Sequence, residues 1–114
     1  MTDEGTTADK MQRVCFVMHL KPERVTDYLA VHASVWPEVL DALRETGWTN
    51  FSLFVRPDDG LVVGYVETAD YEMSVAEMGR RDVNTRWQET MAPYFDSGRP
   101  DQAVQRLEQY FHLV

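Results

Sequence analysis

The sequence holds one cysteine, three histidines, a minority of positive charge and no long apolar run, and each scarcity removes a class of function. Cys15 has no intrachain disulfide partner and lies inside the apolar stretch Val14-Cys-Phe-Val-Met-His-Leu20, so it reads as a packing residue and not as a nucleophile. His19, His32 and His112 stand far apart, and with a single thiol they give none of the recognised metal-ligand spacings. No segment approaches the roughly 20 apolar residues of a membrane-spanning helix. Residues 1–10 are polar and acidic, without the positive flank and apolar stretch of an export signal, and are expected to form a disordered tail on a cytoplasmic protein. Eleven Lys and Arg face 19 Asp and Glu, a net charge of −8 with a pI near 4.7. Such a balance repels phosphate backbones and anionic lipid surfaces, so neither nucleic acid nor membrane is an expected partner. A neutral small molecule meets no such barrier.

What is present suffices for a core. Of the 114 residues 44% are hydrophobic, enough for one ordinary domain, placed at residues 11–114, and too few for two. Residues 14–20 read as a strand, and Lys21-Pro22 starts a helix that runs to about His32. Ala33 to Trp36 form a joint, because Pro37 disfavours helical geometry in the residue before it. A second helical stripe covers Pro37 to Thr46, with Gly47 ending it. Residues 49–56 and 61–67 form a hairpin around the turn Pro57-Asp-Asp-Gly60, in which proline sets φ and glycine takes the left-handed position. Asp70 and Asp82 can each cap a helix, through about Met78 and Met91. Residues 105–114 are expected to hold a last strand with Leu107, Phe111 and Leu113 on one face.

This order gives a ferredoxin-like α+β fold, one antiparallel sheet with one helical layer. Both sheet faces want cover: Phe16 and Met18 oppose Cys15 and Val17 on the first strand, and Val63 and Tyr65 oppose Val62 and Val66 on the third. One helical layer covers one face, so a second copy of the chain is the simplest cover for the other, and a homodimer is expected.

Tyr28 and His32 carry the most chemistry. Four residues apart on a helix, they point from one face at one spot. Imidazole exchanges a proton near neutral pH and a phenol donates or accepts a hydrogen bond, a pair suited to proton transfer between oxygens. A core-edge histidine beside a packing tyrosine fits the residue types as well. Near the C-terminal end of its helix, His32 is expected to gain some imidazolium character from the dipole. Glu38 and Glu67 are candidate second proton carriers.

The segments Ala33-Ser-Val-Trp-Pro-Glu38 after His32, Asn50-Phe-Ser-Leu-Phe54, Asp82-Val-Asn-Thr-Arg-Trp87 and Phe111-His-Leu113, in this order and at these separations, resemble the L-rhamnose mutarotase family from Met11 to Val114. The resemblance implies a dimeric α+β barrel with a pocket in each subunit and an isomerase that interconverts the anomers of a free sugar without metal or cofactor. It implies His32 as the proton donor and Tyr28, Phe51, Trp87 and Gln88 as substrate-binding positions. Without it, Trp87 reads as a core tryptophan. The chain departs from the family pattern in two places. Some members carry two tryptophans in succession where this chain has Trp87-Gln88, and others carry tyrosine where it has Phe51. An alternative is a cofactor-free oxygenase or cyclase of the same barrel class, acting on an aromatic or polyketide substrate, since fold does not decide function. A binding protein that keeps the sugar pocket is a third possibility.

Overall fold

The computed structural model describes residues 11–114, so the expected tail at residues 1–10 lies outside the described residues. The strands are β1 (Gln12–His19), β2 (Thr49–Arg56), β3 (Leu61–Thr68) and β4 (Gln105–Leu107). The helices are α1 (Val25–His32), α2 (Pro37–Glu45), α3 (Tyr71–Gly79) and α4 (Asp82–Met91). The sheet order is β2-β3-β1-β4 and every pairing is antiparallel, the ferredoxin-like arrangement expected from the sequence.

Alternation on β1 and β3 sets the core. Val14, Phe16, Met18 and Leu20 are buried on one face, and the register places Val66, Gly64 and Val62 beside the first three of them. Onto this face pack Val25 and Tyr28 of α1, Val39 and Ala42 of α2, Tyr71 and Met78 of α3, and Trp87 and Met91 of α4. The opposite face presents Cys15 beside Tyr65, Val17 beside Val63, and His19 beside Leu61. Phe54 extends it on one side and Leu107 on the other, at 62% and 48% exposure. The four helices therefore serve one face, and the outer one is apolar and open. Among the described residues no helix is long and apolar enough to cross a membrane.

Local signals act where expected. Pro22 opens a short 3-10 turn that leads into α1. Gly47, at φ +92°, closes α2: its N–H donates to the Arg44 carbonyl and that of Trp48 to the Leu43 carbonyl, the pair of bonds that requires a left-handed residue. Gly60 takes φ +79° in the hairpin turn, and Asp59 fastens that turn by accepting from Arg56 and from the Leu61 N–H. Asp70 caps α3 by accepting from the Met73 N–H at 3.1 Å.

Two expectations are corrected. Asp82 is the first residue of α4 and not its cap; its carboxylate accepts from Arg86 Nε at 2.9 Å one turn on, which satisfies it inside the helix. The last strand is three residues long, and the chain after Leu107 has no regular structure, with Tyr110, Phe111, Leu113 and Val114 exposed. Apolar alternation reports which side chains need cover. It does not report whether the same chain supplies it.

Gly64 of β3 leaves room on the inner face of the sheet for the ring of Phe16. It lies opposite Phe16, whose ring covers it so closely that a Cβ at Gly64 would run into the ring. Gly64→Ala should therefore cost about 1–3 kcal/mol through overpacking, and urea denaturation should show a lower midpoint at unchanged slope.

Candidate active site

A cavity of about 740 Å³ opens between the helices and the inner face of the sheet. Tyr28, His32, Phe51, Trp87 and Gln88, the positions singled out in the sequence, all line it. They come from three elements and are brought there by three local devices.

The first device is helical spacing. In α1 the four-residue step leaves Tyr28 and His32 with ring centroids 5.2 Å apart. Tyr28 is 5% exposed, its ring wedged edge-on against Tyr94 and Phe95. Burial alone pushes its phenol up to about 12, so the hydroxyl stays protonated at neutral pH. Among the described residues that hydroxyl has no hydrogen-bond partner. His32 is half-buried, and burial lowers its pKa from the usual histidine value while a backbone hydrogen bond opposes the shift. Desolvation outweighs that bond, so the shift favours the neutral ring, with one N–H and one bare nitrogen, and runs against the imidazolium character expected from the sequence.

The second device is an aromatic chain between layers. The Trp87 ring meets His32 edge-on at 5.8 Å and Trp36 at 5.0 Å, so α4 is tied to the end of α1 and to the residue just before α2. Trp87 is both core and cavity wall, which joins the two roles that the sequence left open.

The third device is a β-bulge. Thr49 pairs with Glu67 and Ser52 with Tyr65, so β2 holds one residue more than β3 across this interval. Asn50 absorbs the extra residue at φ +46°, in the left-handed region that asparagine tolerates better than most. The shift turns Phe51 inward, against Trp48 at 5.1 Å and Phe16 at 6.3 Å.

Gln88 is engaged at both ends. Its Oε1 accepts from the Asp101 N–H and its Nε2 donates to Asn84 Oδ1, each at 3.1 Å. Asn84 lines the cavity at 3% exposure. The sequence reading missed it, although its place three residues before Trp87 and four before Gln88 puts it on their helix face. Trp48, read as a packing residue, also lines the cavity, with its indole N–H toward the Ser74 carbonyl at 3.4 Å. At the rim Asp101 pairs with Arg99, and the Arg106 guanidinium lies 5.0 Å over the Tyr71 ring.

The other candidates fall elsewhere. Glu38 is exposed and off the cavity. Glu67 lies on the outer face and accepts from the Tyr65 hydroxyl at 2.7 Å, so neither carboxylate is placed to serve the cavity. His19 belongs to the outer face, as its alternation with Cys15 and Val17 suggests, and His112 lies in the exposed segment after β4.

This cavity offers a neutral base, a neutral phenol and amide groups inside aromatic walls, an arrangement that can pass a proton between neighbouring oxygens of an uncharged ligand. Comparison with known proteins agrees. The family profile described as L-rhamnose mutarotase matches residues 13–113. The L-rhamnose mutarotase of Lactiplantibacillus plantarum is 33% identical over 104 residues, which cover 90% of this chain and 99% of that protein. The crystal structure of an L-rhamnose mutarotase from Formosa agariphila has a TM-score of 0.75 at 20% identity, covering 90% of this chain and 99% of that one, and shares the fold. A dimeric ferredoxin-like protein from an uncultured marine organism shares it at a TM-score of 0.58 and 7% identity, covering 95% of this chain and 97% of that one. By the family match over nearly all its described residues, the chain belongs to the L-rhamnose mutarotase family.

Proposed function

We propose that this protein interconverts the α and β anomers of L-rhamnose, or of a closely related deoxysugar, by acid–base opening and closing of the pyranose ring. The observation that carries the reading is the Tyr28–His32 pair: a neutral imidazole and a phenol without a hydrogen-bond partner among the described residues, both facing one aromatic-walled cavity in a chain of this family.

Ring opening takes a proton from the anomeric hydroxyl and gives one to the ring oxygen. As the C1–O bond to the ring breaks, the anomeric oxygen becomes a carbonyl. Rotation about C1–C2 and the reverse steps close the ring on the other carbonyl face. Atoms and charge balance without an outside reagent, so a proton carrier in reach of both oxygens suffices. Neutral His32 accepts at its bare nitrogen and donates from its N–H, which lets one side chain serve either direction. Tyr28, held protonated, binds an oxygen of the substrate as a donor. Trp87 and Phe51 cover the apolar C–H face and the methyl group of the sugar. The alternative of a cofactor-free oxygenase or cyclase is disfavoured by the family match.

The reading extends to a cytoplasmic homodimer. The lone thiol suits a reducing compartment. The open outer face and the apolar side chains of residues 107–114 suit a second copy that covers both.

His32→Ala should lose about 10²–10⁴-fold of the α/β exchange of L-rhamnose, followed by saturation-transfer NMR. Equal rates for the variant and the parent would remove His32 from the reaction. Because burial lowers the His32 pKa, the neutral form should persist through pH 7, and enzyme-driven exchange should decline only as pH falls below the usual histidine value of 6.5. A His32 imidazole titrating above 6.5 by NMR would contradict this. Sedimentation should give about twice the 13.2 kDa chain mass, and Phe54→Asp, which places a charge on the β2 side of the apolar outer face, should shift the protein toward monomer.

A further inference from the structure

The orientation of one buried amide follows from a backbone group. The Asp101 N–H can only donate, so the Gln88 atom that meets it at 3.1 Å must be the carbonyl oxygen. The other end of Gln88 is then the NH2, and the Asn84 atom it meets at 3.1 Å must be the oxygen. Asn84 is left with its own NH2 pointing away from Gln88, and among the described residues that group donates to nothing. The side chain is 3% exposed and lines the cavity beside His32 and Trp87. A buried donor without a partner is unfavourable, and such groups in folded proteins are nearly always satisfied.

We propose that Asn84 is a substrate-binding residue whose side-chain NH2 donates to an oxygen of the bound sugar, and that Gln88 is the positioning residue that turns it that way. The inference rests on the reading of the cavity as a sugar site and deepens it. Where some family members carry a second tryptophan after the first, this chain has an amide that does not need to touch the sugar to matter. Gln88 fastens α4 to the turn at Pro100–Gln102 and, through that bond, fixes which end of Asn84 the cavity receives. Aromatic contact at this corner is replaced by a hydrogen bond of fixed polarity.

Two variants separate the roles. Asn84→Leu removes the donor at similar volume and should raise KM for L-rhamnose about 3- to 10-fold, the worth of one neutral hydrogen bond, with less effect on the maximal exchange rate. Gln88→Glu leaves Asn84 untouched: its carboxylate still accepts from the Asp101 N–H but cannot donate, so Asn84 turns its NH2 toward Glu and its oxygen toward the cavity. The same rise in KM should follow, and adding Asn84→Leu to Gln88→Glu should change little more. Wild-type KM in both variants would overturn the proposal. A binding readout independent of turnover keeps the two readings apart. In the intact wild-type protein the Asn84 side-chain NH2 resonances should shift on titration with L-rhamnose, while those of Asn50, off the cavity, should not. A shift without anomer exchange would sustain the role of Asn84 and defeat the mutarotase reading; exchange with no shift at saturating sugar would do the reverse.

Discussion

Edge-on contact between the Trp87 and Trp36 rings fixes where four helices can sit on one sheet. Trp36 stands between α1 and α2, held extended by the proline that follows it, while Trp87 lies in the middle of α4. Joined at 5.0 Å, the two rings clamp the first helical pair to the second at one end. Trp87 also lines the cavity between helices and sheet, whereas Trp36 does not reach it. The ring that holds the layers together also forms the wall against which His32 rests at 5.8 Å, so packing and chemistry share one side chain. Removing that ring would loosen the helical layer and displace the imidazole together, and an activity loss at Trp87 would not by itself distinguish a binding role from a structural one.

Most of the fold was legible because its signals are local. Branched alternation on β1 and β3, proline at the start of α2, the left-handed glycines that end α2 and the hairpin turn, and the Asp70 cap each act within a few residues. The Tyr28–His32 pair was legible for the same reason, since four residues on a helix determine a shared face. Asp82 was misread because an aspartate at a helix start can either cap or sit in the first turn, and an arginine four residues on decides for the second. The short β4 was misread because alternation records a demand for burial and not its source.

Less of the site could be read, because its missing parts depend on long-range geometry. The His32 charge follows from how deeply the helical layer buries it, and a dipole argument from one helix end cannot weigh that. Asn84 shares a face with Trp87 and Gln88, which spacing shows, but its polarity is set by a backbone N–H thirteen residues beyond Gln88. Glu67 shares its face of β3 with Val63 and Tyr65, which alternation shows, but that this face lies away from the helices depends on how the whole sheet is covered.

That bulge has a consequence for how this cavity can change. Across Asn50 the strand switches phase, so Thr49 and Ser52 look outward together and Phe51 looks inward. Deleting one residue here would restore a regular ladder while leaving the hairpin turn and the downstream register intact. If the residue deleted is Phe51, Asn50 takes its inward place on the cavity wall while Thr49 and Ser52 keep their partners. A strand with a left-handed residue at its phase boundary can therefore exchange one lining residue for its neighbour in a single step, a cheaper route to a new ligand preference than rebuilding any helix of the layer above.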